Sequence, residues 1–89
     1  MVTQSTTIIN KLGLHARAAS KFANTANRFA SLISLEAKGK SIDGKSIMSI
    51  MLLAASIGTD ITISADGEDE QAALDALITL IHNKFDEQE

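Results

Sequence analysis

His15 lies in the segment Gly13-Leu14-His15-Ala16-Arg17-Ala18-Ala19-Ser20, an imidazole followed two residues later by a guanidinium. Ala19, Phe22, Ala23, Ala26 and Ala30 fall on one helical stripe, so His15 sits at or just before the first helical residue. The backbone N–H groups of Ala16, Arg17 and Ala18 then lack an intrahelical acceptor and point out of the helix start. Such an end carries roughly half a positive charge and binds phosphate readily. Arg17 adds donors whose fork matches phosphate oxygens. A nucleophile, a backbone cradle and a cation therefore meet within three residues, which suits taking up a phosphoryl group on nitrogen and releasing it. The positive end should also disfavour imidazolium and keep the ring neutral, hence nucleophilic.

Other residues offer weaker chemistry. Residues 39–46, GKSIDGKS, match the phosphate-loop pattern G-x-x-x-x-G-K-[ST] letter for letter. Ile42 reads as strand, however, Lys38-Gly39 reads as a hairpin turn, and too little chain remains for a nucleotide pocket. The acidic run from Asp66 to Glu70 is too short for a calcium loop, and carboxylates at a helix start have an ordinary electrostatic explanation. With two histidines and no cysteine there is no metal-ligand set. His82 falls in the last turns of the final helix, where a cation favours the dipole, and reads as structural.

Composition narrows the class further. The net charge of −3 argues against nucleic acid as a partner, and 3% aromatic residues leave no platform for stacking bases. The lack of cysteine removes disulfides and thiolate chemistry and fits a reducing compartment. Residues 1–20 lack the basic start and apolar stretch of a secretion signal. The apolar run from Ile50 to Ala55 is far too short to span a bilayer. The expectation is one domain over residues 1–89, cytoplasmic and not inserted in a membrane.

The elements that must position His15 follow from periodicity. Residues 2–9, rich in β-branched types, read as a strand, and the helix carrying His15 at its start runs over 16–30. Residues 31–37 form a strand with Ile33, Leu35 and Ala37 on one face, joined through Lys38-Gly39 to a short strand at 40–43. Ser46 caps a second helix reaching to about Ser56, with Gly58 ending it. Residues 59–66 alternate, with Ile61, Ile63 and Ala65 against Asp60, Thr62, Ser64 and Asp66, which means a sheet with one wet face and antiparallel pairing. Residues 69–85 form a helix whose stripe is Leu74, Leu77, Ile78, Ile81 and Phe85. The order is β-α-β-β-α-β-α, and the economical architecture is α+β: a four-stranded antiparallel sheet with three helices on one face. The second helix is apolar on two sides, with Ile50, Leu53, Ala54 and Ile57 on one and Ile47, Met48, Met51 and Ala55 on the other. Only one can be core, and an exposed apolar stripe marks an interaction surface.

Three blocks carry a resemblance: NKLGLHARAAS around His15, GKSIMSIMLLAA from Gly44, and ITISADGEDEQAALDAL from Ile61. In this order and spacing they make the whole chain resemble the HPr family, the histidine-containing phosphocarriers of the bacterial phosphoenolpyruvate-dependent phosphotransferase system. The resemblance implies an open-faced β-sandwich and a carrier rather than an enzyme. It implies that enzyme I, using phosphoenolpyruvate and magnesium, phosphorylates His15 on Nδ1 beside Arg17. The group then passes to enzyme IIA domains of sugar uptake systems, and the carrier itself, a monomer, binds no cofactor. Ser46 matches the serine that an HPr kinase/phosphorylase modifies in some bacteria; as read from the residues alone it is equally a plain helix cap. The resemblance turns Ile47, Met48 and Met51 outward, forming a partner interface with Ser20, Asn24 and Asn27.

The departures are Ala18 where the family motif usually has Pro, Ser49 in place of a common Gly, and Asn24 and Asn27 where relatives often carry basic residues. The asparagines remove positive charge from the surface that would meet enzyme I. Two other readings share much of the pattern. The nitrogen-branch relative NPr, with a regulatory role, resembles the ending LITLIHNKFDEQE, whereas KSIM favours the sugar branch. A regulatory domain that only binds partners through the methionine stripe would not need intact His15 and Arg17.

Overall fold

The alternation in the last strand sets the architecture. In the computed structural model, which describes residues 1–87, Ile61, Ile63 and Ala65 are buried while Asp60 and Asp66 are exposed. The strand they occupy, β4 (Asp60–Asp66), lies inside an antiparallel sheet of order β1-β4-β2-β3, with β1 at Val2–Thr7, β2 at Leu32–Ala37 and β3 at Lys40–Asp43. Register pairs Thr3 with Ser64 and Ser5 with Thr62, and their hydroxyls hydrogen-bond across the strands at 3.1 and 3.0 Å. The hydroxyl-lined face is bare, and the opposite face carries the helices. The expected open-faced α+β sandwich is therefore found. Lys38 and Gly39 both have positive φ, 55° and 77°, as a two-residue turn between twisted strands requires. That turn and the antiparallel pairing leave the phosphate-loop pattern at 39–46 without a phosphate loop.

Three helices, α1 (Ala16–Ala26), α2 (Ile47–Leu53) and α3 (Glu70–His82), bury their apolar stripes against the inner face. Ala19, Phe22, Ala23 and Ala26 from α1 meet Leu74, Leu77, Ile78 and Ile81 from α3 over Leu35, Ile61 and Ile63. Each fully buried Leu, Ile or Phe contributes about 1.5–3 kcal/mol. Asp69 fastens the start of α3 to the segment between α1 and β2. Its carboxylate accepts hydrogen bonds from the N–H groups of Ala30 and Ser31 and from the Ser31 hydroxyl.

All three helices end earlier than periodicity suggests. α1 stops at Ala26 rather than near 30, so Ala30 leaves the stripe and is exposed. Asn27 ends the helix: its amide donates to the Ala23 carbonyl, 2.8 Å, and to the Lys45 carbonyl, 3.0 Å. α2 stops at Leu53 because Ala54 turns left-handed, φ 55°. The next carbonyls are taken by distant groups, Ala54 O by Lys38 Nζ at 3.0 Å and Ala55 O by the Leu14 N–H at 2.8 Å. Ala54 and Ile57 consequently fall outside the buried stripe of α2, whereas Ala55, assigned to the outer one, is buried. α3 ends at His82, and Phe85 reaches the core by another route. Lys84, Phe85 and Asp86 form one tight turn with φ of 55°, 56° and 63°. Each such non-glycine residue costs about 1–2 kcal/mol. Complete burial of the Phe85 ring and a 2.7 Å hydrogen bond from Lys21 Nζ to its carbonyl offset that cost.

Candidate functional site

His15 is the N-cap of α1, with an extended backbone (φ −74°, ψ −179°) and no capping hydrogen bond from its side chain. Its carbonyl accepts from the Ala19 N–H at 2.8 Å, the first bond of the helix. The N–H groups of Ala16, Arg17 and Ala18 have no acceptor among the described residues, as the geometry of a helix start demands. The Arg17 side chain is exposed and makes no hydrogen bond or ion pair within the described residues. The helix start and its free donors thus lie at His15, whose ring is 28% exposed, and the charge of Arg17 is felt at Glu87 beside it.

Two anchors hold the loop before His15. Gly13, at φ +67°, passes so close to the end of α2 that a Cβ there would lie 2.6 Å from the Ala55 carbonyl oxygen and 2.8 Å from Ser56 Cα. Asn10, fully buried, accepts from the Gly13 N–H through its carbonyl, 3.1 Å, and donates from its side chain to the Gly13 carbonyl, 2.8 Å. The second hydrogen of the Asn10 amide goes to Glu87 Oε1 at 2.9 Å. Its Oδ1 is buried with no partner among the described residues, a cost of about 1–3 kcal/mol accepted to keep both donors placed.

Glu87 is the functional candidate that the sequence did not disclose. Its other oxygen, Oε2, makes a short hydrogen bond to Nε2 of His15, and its side chain is only 11% exposed. Burial is the largest influence on Glu87 and pushes its carboxyl up. Hydrogen bonds from Asn10 and His15, with the positive charges of a protonated His15 and of Arg17, outweigh burial and leave it below its ordinary value of 4.5. Nδ1, in contrast, bonds to none of the described residues. The only available signal was the acidic tail following an apolar stripe. The contact spans 72 residues and depends on the left-handed turn at 84–86.

The remaining candidates are spread over α1 and α2. Ser46 caps α2, its hydroxyl accepting from the Ser49 N–H at 3.2 Å. Ile47, Met48 and Met51 of α2 are 39%, 67% and 41% exposed, and Leu52, not anticipated, is 74% exposed, while Ile50 and Leu53 face the core. Ser20, Asn24 and Asn27 share one side of α1. Asn24 opens onto a groove of about 580 Å³ between α1 and α3, with Lys21 and Arg28, whereas Asn27 is turned to the start of α2 and bound to Lys45 O. His82, read as structural, lies apart at the end of α3, its Nε2 3.3 Å from the Thr6 hydroxyl. No group of three or more metal-ligating side chains occurs among the described residues.

The sequence pattern described as "PTS HPr component phosphorylation site" matches residues 2–83. The chain belongs to the HPr family. It is 52% identical over 89 residues, the full length of both chains, to the phosphocarrier protein HPr of Cupriavidus necator. It is 46% identical over 84 residues to the HPr-like protein Crh of Bacillus subtilis, covering 94% of this chain and 99% of that one. A crystal structure of HPr from Thermoanaerobacter tengcongensis superposes with a TM-score of 0.96 at 45% identity, each chain fully covered. The protein is accordingly a phosphocarrier of the phosphotransferase system, and no helix among the described residues is long and apolar enough to cross a membrane.

Proposed function

We propose that Nδ1 of His15 accepts a phosphoryl group from enzyme I, drawn ultimately from phosphoenolpyruvate, and passes it to enzyme IIA domains of sugar uptake. The observation that carries this reading is the state of the ring. Nε2 is occupied by Glu87, and Nδ1 has no partner among the described residues at the N-terminus of α1. The backbone N–H groups of Ala16, Arg17 and Ala18 and the Arg17 guanidinium hold the phosphoryl oxygens. Magnesium and phosphoenolpyruvate act on enzyme I, and the carrier itself needs no cofactor. The carrier is taken to work as a monomer in the cytoplasm.

Docking falls to the exposed side of α2, where Ile47, Met48, Met51 and Leu52 form an apolar surface. Methionine side chains there adapt to more than one partner. Ser20 and Asn24 extend the interface along α1, and Asn27 sets the approach of α1 to α2. Phosphorylation of Ser46 by an HPr kinase/phosphorylase would place a dianion at the start of α2 beside this surface, where it opposes acidic partners.

The test mixes the protein with enzyme I, phosphoenolpyruvate and magnesium. An acid-labile phosphoryl adduct should form on the wild type and be lost in His15→Ala. An unmodified wild type, or a fully modified His15→Ala, refutes the assignment. Comparing loading rates with sugar-branch and nitrogen-branch enzymes I then tells the two branches apart.

A further inference from the structure

We propose that Glu87 is a positioning residue for phosphoryl transfer: its carboxylate holds the proton of His15 on Nε2, presents the Nδ1 lone pair to the donor, and balances the charge of the phosphorylated ring. The proposal rests on His15 being the phosphoryl acceptor. The two ring nitrogens of histidine are distinct, and the partner of one decides what the other does. Here the partner of Nε2 is a carboxylate only 11% exposed, whose second oxygen is bound by Asn10 at 2.9 Å. Asn10 in turn is locked to the loop that delivers His15, through both its backbone and its amide. Ring, carboxylate and loop form one connected unit.

The chain reaches this arrangement through strained backbone. Three consecutive left-handed residues, none of them glycine, bend the tail back beneath the start of α1. Lys21 of α1 grips the turn through the Phe85 carbonyl and pairs with Asp86 at 3.8 Å. Buried Phe85 alone would explain a tail folded onto the core. It does not explain a carboxylate delivered to a ring nitrogen with Asn10 aligned behind it.

Proton accounting shows what the unit accomplishes. The form of the ring that can accept the group is the neutral one with its proton on Nε2, which leaves the Nδ1 lone pair free. The Nδ1 lone pair forms the bond to phosphorus as the donor's bond breaks and its electron pair leaves with the donor. The ring now carries a positive charge, its proton still on Nε2 and facing the Glu87 carboxylate. On discharge the acceptor's nucleophile bonds to phosphorus, and the N–P electron pair returns to Nδ1. The ring is neutral again with no proton gained or lost. A ring that shed its Nε2 proton while phosphorylated would hold the phosphoryl group more firmly, because its departing nitrogen would be anionic.

The experiment compares wild type, Glu87→Gln and Glu87→Ala, each shown to be folded by its amide spectrum and loaded through enzyme I. The imidazole Nε2–H resonance is recorded on the unloaded proteins. Hydrolysis of the phosphohistidine is followed against pH, and onward transfer is timed with enzyme IIA. Wild type should show a slowly exchanging Nε2–H. Glu87→Ala should lose it and transfer about ten- to a hundredfold more slowly. Glu87→Gln keeps an acceptor oxygen but not the charge. The pH above which its phosphohistidine becomes slow to discharge should fall by about one unit, the ordinary effect of removing an adjacent opposite charge; Arg17 also acts on Glu87, and Lys21 and Asp86 pair at the same turn. Unchanged transfer and an unchanged pH profile in both variants would overturn the proposal. So would a slower Glu87→Ala that keeps the wild-type ring signal and profile. Failure of the wild type to load would overturn the carrier reading too, a result distinct from either.

Discussion

Replacing Gly13 by alanine tests whether the loop clamped under α2 places His15. The new Cβ would meet the Ala55 carbonyl oxygen at 2.6 Å and Ser56 Cα at 2.8 Å. Both are backbone atoms, so no side chain can swing aside. Separating the two segments costs about 1–3 kcal/mol as overpacking. The 2.8 Å hydrogen bond from Leu14 N–H to Ala55 O weakens with it, about 1 kcal/mol more. The φ of +67° adds about 1–2 kcal/mol for a residue with a Cβ, against about 0.4–1 kcal/mol gained by stiffening the unfolded chain. The net loss is about 2–6 kcal/mol, a large part of the roughly 4–13 kcal/mol expected for a chain of this length. Gly39→Ala is the internal control. It has a similar φ of +77° but nothing within 4 Å of its Cβ, so it should lose only about 1 kcal/mol. Urea titration followed by circular dichroism at pH 7 separates the two, and the midpoint temperature of Gly13→Ala should drop by about 10–45 °C. At a temperature where Gly13→Ala is still folded, its loading by enzyme I should also be slower, whereas Gly39→Ala should load like wild type. Equal destabilisation in the two variants would refute the clamp.

Two further outcomes are expected. Met48→Asp, at a side chain 67% exposed, should leave urea stability within about 0.5 kcal/mol of wild type while weakening transfer to and from partner proteins; unfolding would place Met48 in the core instead. Acid should destabilise the fold through Asp69, lowered below 3.8 chiefly by the hydrogen bond from Ser31, through Glu70, lowered below 4.5 by the Gly67 N–H, and through Glu87, lowered although burial opposes it. Because folding depresses these values, the stability they confer is complete above about pH 5, shrinks as pH falls through the unfolded values near 4, and is gone below the folded ones. Urea titrations from pH 7 to 3 should show this loss, and Asp69→Asn should flatten it; an unaltered slope would mean the Asp69 anchor carries no proton linkage.

Alternation and helical stripes are local, and where they decide structure the sequence was legible. Ile61, Ile63 and Ala65 had to face inward together, and Lys38-Gly39 had to turn. The start of α1 was equally readable, because Ala19, Phe22, Ala23 and Ala26 mark its buried face and leave His15 just outside it. The ends of elements were not. Nothing in Ala54-Ala55-Ser56 announces a helix terminus; the chain stops there because Leu14 and Lys38, remote in sequence, claim its carbonyls. Phe85 was correctly assigned to the core by its spacing, yet it arrives through left-handed residues that local preference opposes. A stripe predicts that a residue is buried, not the path that takes it there. That distinction hid Glu87, whose contact with His15 exists only because the path is not helical.

The site therefore divides by what fixes each part. The ring is held by the loop at 10–14, the end of α2 and the turn at 84–86, all tied into the core through Asn10, Ala55 and Phe85. Changes there couple to one another and to stability. Ile47, Met48, Met51 and Leu52 point away from the buried side of α2 formed by Ile50 and Leu53, so they can change with little effect on how His15 is held. Substitutions on the outer face should thus add to those at Glu87 in their effect on transfer, whereas Gly13 and Glu87, joined through Asn10, should not add. A double variant of each kind, measured with a single enzyme IIA, separates docking from chemistry. If Met48→Asp and Glu87→Gln proved strongly coupled, the outer face would be shaping the ring itself, and the separation between partner choice and phosphoryl chemistry would be wrong.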